Sequence, residues 1–133
     1  MRMQIIRTTL AAGIAAVALG ACQTPQAIQN IDSVSVTPST AKSLSAAQVR
    51  AAIITAGTSL GWKVVDAGPG KLEGTLSLRA HTAVVDIPYN ASTYGIKHKR
   101  TEGLSESGGM IHRNYNSWVA NLDKAIRTEI ARL

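Results

Sequence analysis

Between Lys71 and Arg79 the chain alternates. Leu72, Leu76 and Leu78 fall on one side of an extended backbone, and Glu73, Thr75, Ser77 and Arg79 on the other. A strand with one apolar face belongs to a sheet covered on that face and wet on the other. Two stretches have the spacing to supply the cover. In Ser45–Leu60 the apolar positions Val49, Ala52, Ile53, Ala56 and Leu60 recur at three and four. In Ile111–Leu133 the stripe is Ile111, Tyr115, Trp118, Val119, Leu122, Ala125, Ile126 and Leu133, with Arg113, Ser117, Ala120, Lys124 and Arg127 facing away. Glu129 interrupts the stripe without an evident reason.

The elements between the helices are short. Ser45 and Gln48 fit a capping box and Gly61 stands at the helix stop. Strands are expected over Trp62–Asp66, Lys71–Arg79, Thr82–Tyr89 and Thr93–Lys99, with Asp66–Gly70 and Asn90–Ser92 as turns. Gly74 falls on the apolar face, where a helix side chain is expected to press close. Arg100–Gly109 reads as a polar loop. Short connections make the sheet an antiparallel meander. The predicted fold class is α+β: α-β-β-β-β-α, a four-stranded meander with two helices on one face, over residues 44–133.

The N-terminal part reads differently. Met1–Arg7 carries Arg2 and Arg7 and no acid, and Thr8–Leu19 is mostly Ala, Leu, Ile and Val. A twelve-residue, mostly apolar stretch suits the core of a signal peptide and falls short of the roughly 20 apolar residues that span a bilayer. Leu19-Gly20-Ala21-Cys22 resembles the lipobox of bacterial lipoproteins. The resemblance implies that residues 1–21 are removed and that Cys22 is lipidated. The competing readings are an ordinary secretory signal cleaved after Ala21 and a buried apolar helix. Gln23 after the cysteine implies, by similarity to enteric-type lipoproteins, the outer membrane, with the domain facing the periplasm. Residues 22–43 read as the lipidated N-terminus and a tether, with Pro25, Pro38 and many Ser and Thr. Within it Val34 and Val36 alternate with Ser33, Ser35 and Thr37, so a strand added to a sheet edge is the alternative to a flexible chain.

Cys22 is the single cysteine of the 133 residues, so no disulfide within the chain can brace the fold. There is no Phe, which leaves Trp62, Trp118, Tyr89, Tyr94 and Tyr115 as the anchors of an aliphatic core. After residue 21 the chain holds 12 Lys or Arg and 8 Asp or Glu. That basic excess, outside the cytoplasm, points to anionic envelope surfaces rather than nucleic acid.

Gly61-Trp62, Val84–Tyr89 and Ile111–Trp118 look like a group of small proteobacterial lipoproteins of uncharacterised function, over roughly Leu44–Leu133. That resemblance brings no catalytic residues with it. His81, His98 and His112 form no metal-binding spacing, and the cations around His98 count against a metal ion there. No catalytic residue, metal site or cofactor is predicted. Two surface clusters stand out: the basic run Lys97, Lys99 and Arg100, and His112, Arg113 and Asn116 at the start of the closing helix. For His112 and Asn116 the favoured reading is structural, docking the helix start by bonds to exposed backbone. The predicted function is a non-enzymatic envelope accessory, binding an envelope protein or an anionic polymer and held to the membrane by its N-terminal lipid. The alternative is a small-ligand carrier or enzyme, with a cleft between closing helix and sheet lined by Trp62, Tyr94 and Trp118.

Overall fold

The computed structural model describes residues 24–40 and 42–133. The described chain runs β1 (Gln26–Ala27), β2 (Ile31–Ser35), α1 (Ala46–Ser59), β3 (Lys63–Asp66), β4 (Lys71–Leu78), β5 (His81–Pro88), β6 (Thr93–Glu102), β7 (Met110–Ile111) and α2 (Asn114–Ala131). Strands β3 to β6 form the expected antiparallel meander. The sheet has five strands rather than four, in the order β2-β6-β5-β4-β3, and β1 pairs separately with β7. The protein is α+β, with both helices on one sheet face.

Local chemistry explains the frame. Ser45 and Gln48 close the capping box of α1: Gln48 N donates to Ser45 Oγ at 3.1 Å, and Ser45 N donates to Gln48 Oε1 at 2.9 Å. The helix stops at Gly61, which takes φ +86°. There Trp62 N donates to Gly57 O and Gly61 N to Thr58 O, the paired bonds of a glycine-terminated helix. Leu60 is therefore the cap, 42% exposed, and Gly57 takes the buried place expected for it. A Cβ on Gly57 would stand 2.6 Å from Val64, so the bare backbone lets α1 lie close on β3.

The core joins Val49 and Ile53 of α1, Leu72, Val85, Ile87 and Ile96 of the sheet, and Tyr115, Leu122 and Ile126 of α2, all fully buried. What presses on Gly74 is the ring of Trp62, 3.3 Å from where a Cβ would be, and not a helix side chain. Leu78 and Leu133 were expected inside and are exposed, at the end of a strand and at the chain terminus, whereas Ile130 completes the α2 stripe. Trp118 only packs partly against the core. Glu129 lies beside Arg132, which donates to it at 3.0 Å, so a last-turn ion pair explains its place.

Three boundaries differ from expectation. Arg100–Glu102 continue β6, which shortens the loop to 103–109. Ile111 lies on β7, not on a helix, and α2 begins at Asn114. Gly108 and Gly109 at φ +57° and +76° turn the chain so that residues 110–111 can pair with β1, and that pairing overrides the helical spacing. The tether expected over 22–43 is not one along its whole length, because β1 and β2 join the fold. β2 pairs antiparallel with β6, Ile31 opposite Ile96 and Val34 opposite Tyr94, with an irregularity between. A Cβ on Gly95 would stand 2.6 Å from Asp32 O and 2.8 Å from Ile31 O, so β2 can cross at that point only over a glycine.

One end of the sheet gathers the β4–β5 hairpin, the start of β3, the 103–109 loop and β7. Gly103 belongs to this end, its backbone lying against Ala80 O. The opposite end carries the β3–β4 and β5–β6 turns.

Candidate functional site

Strand alternation sends Lys97 of the basic run to the open sheet face, opposite Asp86, and His98 to the helix side, opposite Val85. A bulge then leaves Lys99 without a partner and sets Arg100 opposite Val84, so Lys97, Lys99 and Arg100 are together on the open face. There Lys99 Nζ donates to Glu73 Oε2 at 2.6 Å and lies 3.9 Å from Asp86 Oδ1, while Lys71 Nζ lies 3.6 Å from the same oxygen. The hydrogen bond from Lys99 holds the Glu73 carboxyl below its ordinary range, and Glu73 raises the Lys99 ammonium in return. Val84 is buried on this face although it lies outside the helix-side core. The surrounding polar and charged side chains are what can cover it. Glu73 and Asp86 are the residues that sequence reasoning missed; the signal was an acid on each of two adjacent strands facing the basic run.

His98 is not the centre of a cationic cluster, because its neighbours in sequence point the other way. Its side chain is 11% exposed, and its ring meets Tyr115 edge-on at 5.2 Å. Nε2 lies 3.4 Å from Glu106 Oε2 and 3.5 Å from Thr101 Oγ1, and Thr101 donates to Glu106 at 2.7 Å. The Tyr115 hydroxyl is buried with no hydrogen-bond partner among the described residues. Burial first, and the Glu106 charge second, push its pKa up, so it stays a neutral phenol at physiological pH. A histidine, a carboxylate and a phenol are acid–base groups. Here His98 and Thr101 tie Glu106 of the 103–109 loop to β6 while the Tyr115 ring packs on His98, and His81 Nδ1, 2.7 Å from Gly103 O, holds the same loop to β5.

The second cluster is separated by the helix start. His112 precedes α2, and its Nδ1 accepts from Asn114 N at 3.2 Å. Arg113 is the exposed N-cap. Asn116 clamps the N-terminal segment: Nδ2 donates to Ala27 O at 2.9 Å and to Gln26 Oε1 at 3.2 Å, and Oδ1 accepts from Gln29 N at 3.1 Å. His112 and Asn116 therefore serve different partners and do not form one polar cleft. Cys22 lies outside the described residues.

The cleft imagined between α2 and the sheet is divided. Trp62 and Trp118 line a cavity of about 110 Å³ with Leu60 and Leu78. Tyr94 instead lines one of about 130 Å³ with Ser35 and Arg127, and its hydroxyl donates to Asp123 at 2.5 Å. Both are far below the roughly 300–1,000 Å³ of small-molecule sites. A larger hollow of about 620 Å³ is walled by residues of the α1 approach and the β5–β6 turn, with Lys42 the one charged residue among the described residues that line it. Among the described residues no group of three His, Cys, Asp or Glu is placed to hold a metal ion, and no helix is long and apolar enough to cross a membrane. Compared with protein-family models, curated proteins and solved structures, the chain matches none.

Proposed function

We propose that this chain is a lipid-anchored envelope protein, held at the outer membrane through Cys22 with its domain in the periplasm. In this reading it acts without catalysis, binding an envelope protein or an anionic polymer. The location rests on the lipobox-like Leu19–Cys22. The role rests on one observation: across strands β3 to β6 the sheet face away from the helices carries Lys63, Lys71, Lys97, Lys99 and Arg100 with Glu73, Asp86 and Glu102. Lys71 and Lys99 are already paired with Glu73 and Asp86, so the surplus available to a ligand lies at Lys63, Lys97 and Arg100. A flat face of mixed but net positive charge suits an extended anionic partner better than a small molecule.

Palmitate labelling and membrane fractionation of wild type and Cys22→Ala test the anchor. An unlabelled wild-type protein that washes off with salt would overturn it. Crosslinking in the envelope, with Lys97→Glu/Arg100→Glu as the comparison, tests the face. The wild type should capture a partner that the double variant loses, and equal capture by both would remove the face from the function.

A further inference from the structure

We infer that the sheet end bearing the β4–β5 hairpin, the start of β3 and β7 is the membrane-facing end of the domain, resting on the headgroup layer of the bilayer that holds Cys22. The inference rests on the proposed anchor and adds what the anchor alone leaves open, the orientation of the domain. The argument begins with reach. β1 starts at Gln26 and is pinned to β7 and to Asn116, so Gln26, a fixed point of the fold, lies four residues on from Cys22. Four residues span at most about 14 Å. A long tether would let the domain turn freely, whereas this arm holds the β1–β7 corner within a headgroup layer or two of the lipid.

The composition of that end fits the place. Of the five exposed large hydrophobic residues among those described, Leu60 (42%), Leu78 (44%) and Met110 (40%) are here, while Val65 (44%) adjoins the β3–β4 turn and Leu133 (41%) follows α2. Leu60 and Leu78 share a shallow depression with Trp118, a residue type at home between apolar and wet surroundings. Arg79 at the hairpin tip and Arg113 at the start of α2 supply cations for lipid phosphates. Arg79 holds φ +56°, a conformation in which glycine would sit without strain, yet the tip carries a long cation. The acids of this end are Glu102 and Glu106, and Glu106 is engaged by Thr101 and His98. The opposite end exposes Val65 beside the Asp66–Gly70 turn, but its two turns gather no cluster of large apolar residues comparable to Leu60, Leu78 and Trp118.

The test uses the full chain in membranes. Leu78→Cys and Met110→Cys place a thiol at the near end and Ala91→Cys at the far end; all three sites are exposed, so the fold tolerates them. Each thiol carries an environment-sensitive fluorophore, and nitroxide lipids are the quencher. The near-end probes should be quenched several-fold more than the Ala91 probe, and Arg79→Glu/Arg113→Glu should reduce that quenching at least twofold with palmitate on Cys22 unchanged. Equal quenching at both ends with Cys22 acylated would overturn the orientation while leaving the anchor standing. Near-end probes shielded from nitroxide but crosslinking to protein would overturn it in favour of a protein partner. Absence of acyl label on Cys22 would defeat the anchor itself, a separate readout.

Discussion

The β4–β5 hairpin and the N-terminal strands β1 and β2 are both antiparallel additions to one domain, and they are held by different physics. β4 and β5 pair without a break from Lys71 opposite Pro88 to Leu78 opposite His81, and Leu72, Leu76, Val85 and Ile87 drop into the core from one side. Burial and ladder act together there. β2 pairs with β6 through an irregular register and brings one fully committed side chain, Val34, with Ile28, Ile31 and Val36 packed at the margin. Backbone bonds from Ile28 N to Gly109 O and from Val36 N to Ser92 O flank it, and side-chain amides add to them: Asn30 Oδ1 accepts from His98 N at 2.9 Å, and Asn116 bonds the backbone of Ala27 and Gln29. A meander organised by apolar alternation can recruit a neighbouring segment that has little alternation of its own, provided it offers an open edge and a glycine where the chains cross.

The largest effect that would sharpen this contrast comes from removing the N-terminal strands altogether. A chain beginning at Leu44 loses Val34 and the partial burial of Ile28, Ile31 and Val36, worth roughly 3–6 kcal/mol at about 1.5–3 kcal/mol per buried aliphatic side chain. Its melting temperature should fall by more than about 12 °C. An unchanged melt would mean that β1 and β2 are ornaments on a complete meander. Next, Ile87→Ala opens a cavity in the central hairpin and should cost about 2–5 kcal/mol in urea denaturation. Amide exchange should then accelerate everywhere, not only near β5.

Gly95→Ala should behave in the opposite manner. Its Cβ meets the backbone of Asp32 and Ile31, so the cost of about 1–3 kcal/mol should be local. Exchange protection should drop across Ile31–Ser35 while β4 and β5 keep theirs, and a uniform loss would show that the edge and the meander unfold as one unit. Asn116→Ala, which frees three groups of the N-terminal segment, should cost about 1–2 kcal/mol. His112→Ala removes only a bond at the helix start and should cost about 0.5–1 kcal/mol. With no shared partner the two should add in the double variant, and marked non-additivity would restore a single cluster.

The smallest effect concerns pH. Lys99 holds the Glu73 carboxyl below its ordinary value of 4.5. A carboxylate lowered in the folded state lends stability above its unfolded pKa and loses it as pH falls through the folded value. The pair is partly exposed, so the contribution is screened. Glu73→Gln should flatten the acid limb of the stability curve slightly, below the effect of His112→Ala, and a steeper limb would contradict the pairing.

Local sequence alone carried the two helices, the capping box and glycine stop of α1, and the four-strand meander, because each depends on residues within a few positions of one another. The same local reading misjudged Ile111. Its helical spacing is real, but β1 offers it a partner 85 residues earlier in the chain. Lys97, Lys99 and Arg100 were visible as a run, yet their shared face depends on a bulge opposite Val84. Trp118 reads as core by its position on the stripe, but it packs only partly against the core and lines a small depression with Leu60 and Leu78.

The amino-acid sequence by itself determined the layer architecture, since apolar alternation in β4 and apolar stripes in α1 and α2 admit one way of hiding both. Tertiary structure alone decided the fate of residues 26–35 and the company of His98, Glu106 and Tyr115. The Val34–Val36 alternation allows an edge strand but names no partner, which is β6, about 60 residues on, and the His98 and Glu106 contacts need the bulge and the loop to fold before those side chains can meet.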